Sequence, residues 1–107
     1  MGMVNQFDIY WIDLNPTKGS EINKKRPCVV ISPNEMNKNL NTIIIAPLTY
    51  SIKNYPTRVN VLAGGKKGQI ALDQIRSIDQ LRLSTKLDIL KKGYIVKVKT
   101  VLIEMFK

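Results

Sequence analysis

A small β-barrel covered by one late helix is the architecture this sequence predicts. Five or six short runs, rich in Val and Ile or alternating in polarity, are separated by Gly, Pro, Asn and Asp turn chemistry. After Lys91 the apolar spacing changes from strand-like to helical. The 107 residues contain no internal repeat, low-complexity tract or linker, so one domain over residues 1–107 with one hydrophobic core is expected. The class is mainly β, a barrel with a C-terminal α-helix and short connecting helices.

Each element has a local reason. Residues 7–14 (FDIYWIDL) alternate, with Phe7, Ile9 and Trp11 forming a strongly apolar face, and Asn15-Pro16-Thr17-Lys18-Gly19 breaks the strand. Residues 27–31 are a continuous apolar run, the pattern of a strand buried on both faces. Ser32-Pro33-Asn34 closes it, and residues 34–39 read as one helical turn. Residues 42–48 (TIIIAPL) form a β-branched third strand that should end, or reach an edge, at Pro47. Residues 58–62 (RVNVL) alternate as a fourth strand, and residues 63–68 read as a hairpin-like turn. Residues 69–72 and 75–78 are two further short strands around Asp73-Gln74, whereas Leu81, Leu83 and Leu87 follow no clear period. Ile95, Val98, Val101, Leu102 and Met105 recur at helical spacing and predict an amphipathic helix laid on the sheet. Trp11 and Cys28 are expected in the core.

Composition narrows the chemistry. Nothing near the N-terminus reads as a signal peptide, and no segment approaches the roughly 18 apolar residues of a membrane span. One cysteine, Cys28, excludes an internal disulfide, and with no histidine a transition-metal site is not expected. The expected compartment is the cytoplasm. Seventeen Lys and Arg against eight Asp and Glu give a formal charge of +9, a bias toward anionic partners beyond what solubility requires.

The most informative stretch is residues 19–32 (GSEINKKRPCVVIS). Pro27 restricts Arg26 to extended backbone, so its guanidinium projects from a defined strand entrance. Glu21 can supply a base. A base beside a fixed guanidinium suits a phosphodiester: one group takes a proton while the other neutralises charge developing on phosphorus. The same residues also read as a surface ion pair at the mouth of a strand.

Three separated elements then line up: Gly19-Ser20-Glu21 with Arg26-Pro27, Ala46-Pro47-Leu48-Thr49, and residues 72–79 (LDQIRSID) followed by Arg82-Leu83. In this order and spacing the chain closely resembles the MazF/PemK/Kid family of toxin endoribonucleases from bacterial toxin–antitoxin systems. The likeness covers nearly the whole chain, including Tyr55-Pro56 before the fourth strand. It implies an SH3-like barrel, a homodimer, and metal-independent cleavage of single-stranded RNA at short motifs. In that chemistry the 2′-hydroxyl attacks the neighbouring phosphorus, leaving a 2′,3′-cyclic phosphate and a 5′-hydroxyl, with no cofactor. The resemblance also implies a cognate antitoxin with an acidic tail, a partner that a basic chain suits.

By the same resemblance, Arg26 matches the arginine that stabilises the transition state and Thr49 the threonine that holds the scissile phosphate. Glu21 matches a loop glutamate proposed as the base in some members. Asp73 matches an aspartate given a catalytic role in others, and also reads as a turn residue. Some members carry a histidine where Ser20 stands and an arginine where Ala71 stands, so a mechanism needing either does not operate here. Ser20, Lys18, Lys24, Lys25, Lys53 and Arg58 are candidates to position RNA, each phosphate contact adding about −0.7 to the slope of log K against log salt. For any one lysine a solvated face is an equal reading. Tyr50 and Tyr55 could stack on bases. Two rival classes remain: a toxin of the same fold that binds DNA gyrase, and a cleavage-deficient RNA-binding barrel.

Overall fold

A computed structural model describes residues 3–107. The elements run β1 (Asp8–Asp13), β2 (Lys25–Val30), α1 (Asn34–Asn39), β3 (Thr42–Thr49), β4 (Arg58–Ala63), β5 (Lys66–Ala71), β6 (Arg76–Asp79), β7 (Leu83–Ile89) and α2 (Lys92–Phe106). Two 3-10 turns, Leu72–Gln74 and Gln80–Arg82, flank β6. All pairings are antiparallel, in the order β4-β5-β3-β2-β1-β7, with β6 beside β3. The mainly β class with a closing helix and short connecting helices is the one expected.

Strand alternation sends alternate side chains to opposite faces of β2 and β3 and builds two cores. β6-β3-β2-β1-β7 curl as a half-barrel around the first core, which includes Tyr10, Ile12, Leu14, Cys28, Val30, Ile43, Ile45, Ile78 and Leu83. The second, on the opposite face, includes Val29, Ala46, Leu48, Val59, Val61, Ile70 and Leu72 and is covered by α2. Val98 of α2 is fully buried there, and Ile95, Val101, Leu102 and Met105 pack around it, as the helical spacing predicts. β2 accordingly has Cys28, Val29 and Val30 all buried, two toward one core and one toward the other.

Four expectations are corrected. The strand does not stop at Pro47. β3 pairs with β6 from Thr42 to Ile45, then with β5 at Leu48 and Thr49, while β2 lies opposite Cys28↔Pro47 on its other side. Pro47 thus sits where β3 changes neighbours, a position that needs no ladder N–H toward either. Second, the deeply buried face of β1 is Asp8, Tyr10, Ile12 and Leu14, and Trp11 is only half-buried. Asp8 is 1% exposed because Lys86 pairs with it at 3.3 Å and Asn5 N–H donates to it at 2.9 Å. Third, β7 is a full edge strand with one buried residue, Leu83, so it left no alternation to read. Fourth, the β4–β5 turn is only Gly64-Gly65, at φ +60° and +78°, the conformation of a two-residue hairpin that side chains disfavour. Strand β5 therefore begins at Lys66, inside the stretch expected to be turn.

Candidate active site

Two of the site candidates, Glu21 and Asp73, share one cavity, and Arg26 and Thr49 stand at facing strand ends. The β2–β3 register pairs Cys28 with Pro47, and extending it by two residues puts Arg26 opposite Thr49, on the face that carries Cys28, Val30 and Ile45. The β1–β2 loop folds over the same end. Leu14, Glu21, Ile22, Pro47, Asp73, Gln74, Ile75 and Arg76 enclose a cavity of about 270 Å³. Glu21 and Asp73, more than fifty positions apart in sequence, share its wall.

Arg26 is half-buried, and its Nε donates to the Asn23 carbonyl at 2.6 Å. That bond turns the side chain back over the loop. Among the described residues its terminal amino groups have no hydrogen-bond partner, so four N–H donors stay available to an anion. Glu21 is exposed, and its carboxylate accepts from the Lys18 N–H while its own N–H donates to the Lys18 carbonyl at 3.1 Å. Glu21 and Arg26 therefore do not form the surface ion pair that the sequence also allowed. Gly19 at φ +55° and Lys24 at φ +69° make the bends that return this loop to β2.

Asp73 is engaged differently. Arg58 grips it with Nε–Oδ1 at 2.7 Å and Nη2–Oδ2 at 3.3 Å, and Thr57 Oγ1 donates at 3.0 Å. Partial burial alone would raise its pKa, but the hydrogen bonds from Arg58 and Thr57 outweigh burial and hold it below the usual carboxylate value. A carboxylate so held is a poor proton acceptor. The Arg58 side chain is 7% exposed and lies 5.1 Å from the Tyr55 ring centroid, so its charge is spent inside the protein.

Thr49 ends β3 at 5% exposure. Its Oγ1 accepts from Ser51 N–H at 3.1 Å, which leaves the hydroxyl proton for another acceptor. A Cβ at Gly68 would sit 3.1 Å from the Thr49 carbonyl oxygen, so β5 presses directly on this strand end. Beyond it, buried Gln69 accepts from Lys53 N–H at 3.1 Å and donates to the Lys53 carbonyl at 2.9 Å, fixing the backbone of that loop.

The remaining candidates spread out. Lys18, Ser20 and Lys24 ride exposed on the Glu21 loop, Lys25 opens β2 opposite Asp13, and Lys53 is exposed beyond β3. Tyr50 points away from the Glu21 cavity: it lines a groove of about 610 Å³ with Pro27, Leu48, Leu62 and Tyr94. Lys66 Nζ lies 5.5 Å from its ring centroid. Sequence reasoning missed the parts that hold the site. Gln74 bonds the Glu21 loop, Gln69 the Lys53 loop, and Arg76 Nη1 the Leu14 carbonyl at 3.0 Å. Gln74 and Arg76 stand inside the third motif, and that adjacency was the available signal. Among the described residues, no helix is long and apolar enough to cross a membrane.

A sequence profile described as PemK-like, MazF-like toxin of type II toxin-antitoxin system matches residues 5–106. The endoribonuclease toxin MazF of Escherichia coli (strain K12) is 43% identical over 72 residues, 66% of this chain; the match spans just under two thirds of that relative, 64%. Endoribonuclease MazF of Staphylococcus epidermidis is 35% identical over 102 residues, 90% of this chain and 85% of the relative. Among solved structures, MazF from Deinococcus radiodurans superposes with a TM-score of 0.85 at 25% identity, covering 98% of this chain and 97% of the other. A MazE-MazF complex from the same organism gives 0.79 at 25% identity, covering 98% and 96%.

Proposed function

The chain belongs to the PemK-like, MazF-like toxins of type II toxin–antitoxin systems, and from that membership we propose that residues 1–107 form a single toxin domain that cleaves single-stranded RNA without a metal ion or other cofactor. The observation that carries the reading is that Glu21 shares a cavity wall with Pro47, whose register partner Cys28 stands two residues from Arg26 as Pro47 stands two residues from Thr49.

The chemistry follows from what each group has free. The RNA's 2′-hydroxyl attacks the adjacent phosphorus and gives its proton to Glu21. Glu21 fits that role better than Asp73, whose carboxylate is held by Arg58 and Thr57. The terminal amino groups of Arg26 neutralise the charge on the pentacoordinate phosphorus, and the Thr49 hydroxyl donates to a non-bridging oxygen. The bond from phosphorus to the 5′-oxygen then breaks, and the departing oxygen takes a proton from Arg26 or water. The products are a 2′,3′-cyclic phosphate and a 5′-hydroxyl, and cleavage of message would stop translation and growth.

Partners follow from charge and surface. Exposed Lys18, Lys24, Lys25 and Lys53 around the site suit RNA phosphates, and an acidic antitoxin segment would compete for the same field. The relative solved as a MazE-MazF complex supports such a partner. Homodimerisation belongs to the same proposal, since Val96, Ile103 and Phe106 of α2 and Leu87 and Ile89 of β7 stand exposed as apolar surface. The one buried, free cysteine suits a reducing cytoplasm.

The test is to incubate purified protein and its Arg26→Ala variant with mixed single-stranded RNA in EDTA and to map the ends. Discrete cuts with cyclic-phosphate termini, lost in the variant, are expected. Cutting by the variant at the parental rate refutes the assigned chemistry, parental cutting that appears only when a divalent cation replaces EDTA refutes metal independence, and intact RNA from both proteins under either condition turns the reading toward gyrase binding.

A further inference from the structure

The middle of the loop that carries Glu21 is hydrogen-bonded to the rest of the protein, among the described residues, by a single carboxamide. Gln74 Oε1 accepts from the Ile22 N–H at 3.1 Å, and Gln74 Nε2 donates to the Ser20 carbonyl at 3.4 Å. One side chain thus bonds the peptide groups on both sides of Glu21, using its donor and its acceptor as the backbone requires. The turn between Lys18 and Glu21 closes only on itself. Among the described residues, Gln74 is the one group outside the loop that hydrogen-bonds residues 16–22.

Gln74 is itself well founded. It ends the 3-10 turn Leu72–Gln74, where Leu72 is fully buried and its N–H donates to the Thr57 carbonyl at 3.2 Å. The next residue of that turn, Asp73, is the one gripped by Arg58 and Thr57 of the β4 entrance. Rigid contacts therefore lead from β4 through the turn and the Gln74 side chain to the two peptides that flank Glu21. Without that clamp the loop would be hydrogen-bonded near its ends alone, through Leu14 N–H to the Lys24 carbonyl, Arg76 and Arg82 to the Leu14 and Asn15 carbonyls, Lys24 N–H to Asn15 Oδ1 and Arg26 Nε to the Asn23 carbonyl.

We propose that Gln74 is a positioning residue that sets the Glu21 carboxylate against the reacting phosphodiester through the backbone of Ser20 and Ile22. The inference rests on the reading of Glu21 as the base. The role proposed for Gln74 is exerted through Glu21, and the perturbation that matters is loss of both hydrogen bonds with the side-chain volume kept.

Gln74→Met does this, and Gln74→Asn, one methylene shorter, withdraws the amide if the Met variant fails to fold. With the full chain and a defined RNA, kcat should fall about 10- to 100-fold with KM within about threefold, the cost of misplacing a catalytic group by about an ångström. The Ile22 amide should exchange with solvent faster. In a Glu21→Ala background the same substitution should change the rate less than about twofold, because there is no carboxylate left to misplace. An unchanged kcat with faster Ile22 exchange overturns the proposal, as does an equal loss in both backgrounds. Parental cleavage by Glu21→Ala alone overturns the base assignment and this inference with it; impaired cleavage by Glu21→Ala with an additive Gln74 effect overturns only the inference.

Discussion

Arg58→Met removes a guanidinium while keeping an unbranched apolar stem, and it isolates what the Arg58–Asp73 pair does. The pair is bidentate at 2.7 and 3.3 Å, with the Arg58 side chain 7% and the Asp73 side chain 27% exposed. Hydrogen bonds to charged groups contribute about 1.5–3 kcal/mol when enclosed and exposed ion pairs under about 1 kcal/mol, so solvent at Asp73 places this loss at about 1–2 kcal/mol. For a domain of this size that lowers Tm by roughly 4–12 °C at pH 7. The sign of the pH dependence follows from Asp73, whose pKa in the folded protein lies below its ordinary 3.8. A depressed carboxylate stabilises the fold above its unfolded pKa, and that contribution fades as pH falls through the folded value. The Tm gap between parent and variant, read by circular dichroism at one protein concentration, should therefore be full at pH 7 and shrink below about pH 4. A gap absent at pH 7, or unchanged down to pH 2, would refute the assignment of this pair as a strut beneath the 3-10 turn.

Two further outcomes are expected. Thr49→Val keeps the shape of a nearly buried side chain and removes its hydroxyl, so RNA cleavage should slow by about 100-fold. The accompanying Tm loss should be small, because the orphaned Ser51 N–H belongs to an exposed residue; parental kinetics would remove Thr49 from the site. Burial pushes the Cys28 thiol up to about 12 despite the opposing charges of Arg26 and Arg76. Iodoacetamide at pH 8 should leave the folded protein unlabelled and label it after denaturation. Because the unfolded thiol ionises first, stability should decline as pH rises from about 9 toward about 12, and rapid labelling of the native protein would contradict the packing around β2.

Much of the fold was legible because burial here follows periodicity. β2 and α2 each bury the residues their patterns single out. β7 was hidden because an edge strand with one buried residue has no pattern to show. Trp11 and Asp8 misled together: an ion pair with Lys86 lets a carboxylate take the interior face that polarity alone assigns to tryptophan. The candidate catalytic groups lie in motifs that survive as short contiguous words, so Glu21, Arg26, Thr49 and Asp73 could be named from the chain. What those groups touch could not. The grip of Arg58 on Asp73 and of Gln74 on the Glu21 loop joins residues 15 and more than 50 positions apart, and only tertiary structure brings them together.

The change of neighbours along β3 has a mechanical consequence. One strand serves as the common wall of both cores, with Ile43 and Ile45 facing one and Ala46 and Leu48 the other. Neither compartment can melt while the other stays intact, because loosening either removes a face of the same strand. The protein should therefore come apart in one step, with the amides of β3 last to exchange. Thr49 lies at the far end of this seam, so the residue proposed to hold the phosphate inherits the stiffness of the whole molecule, while the partner proposed to move the proton waits on a loop whose middle is held by one amide.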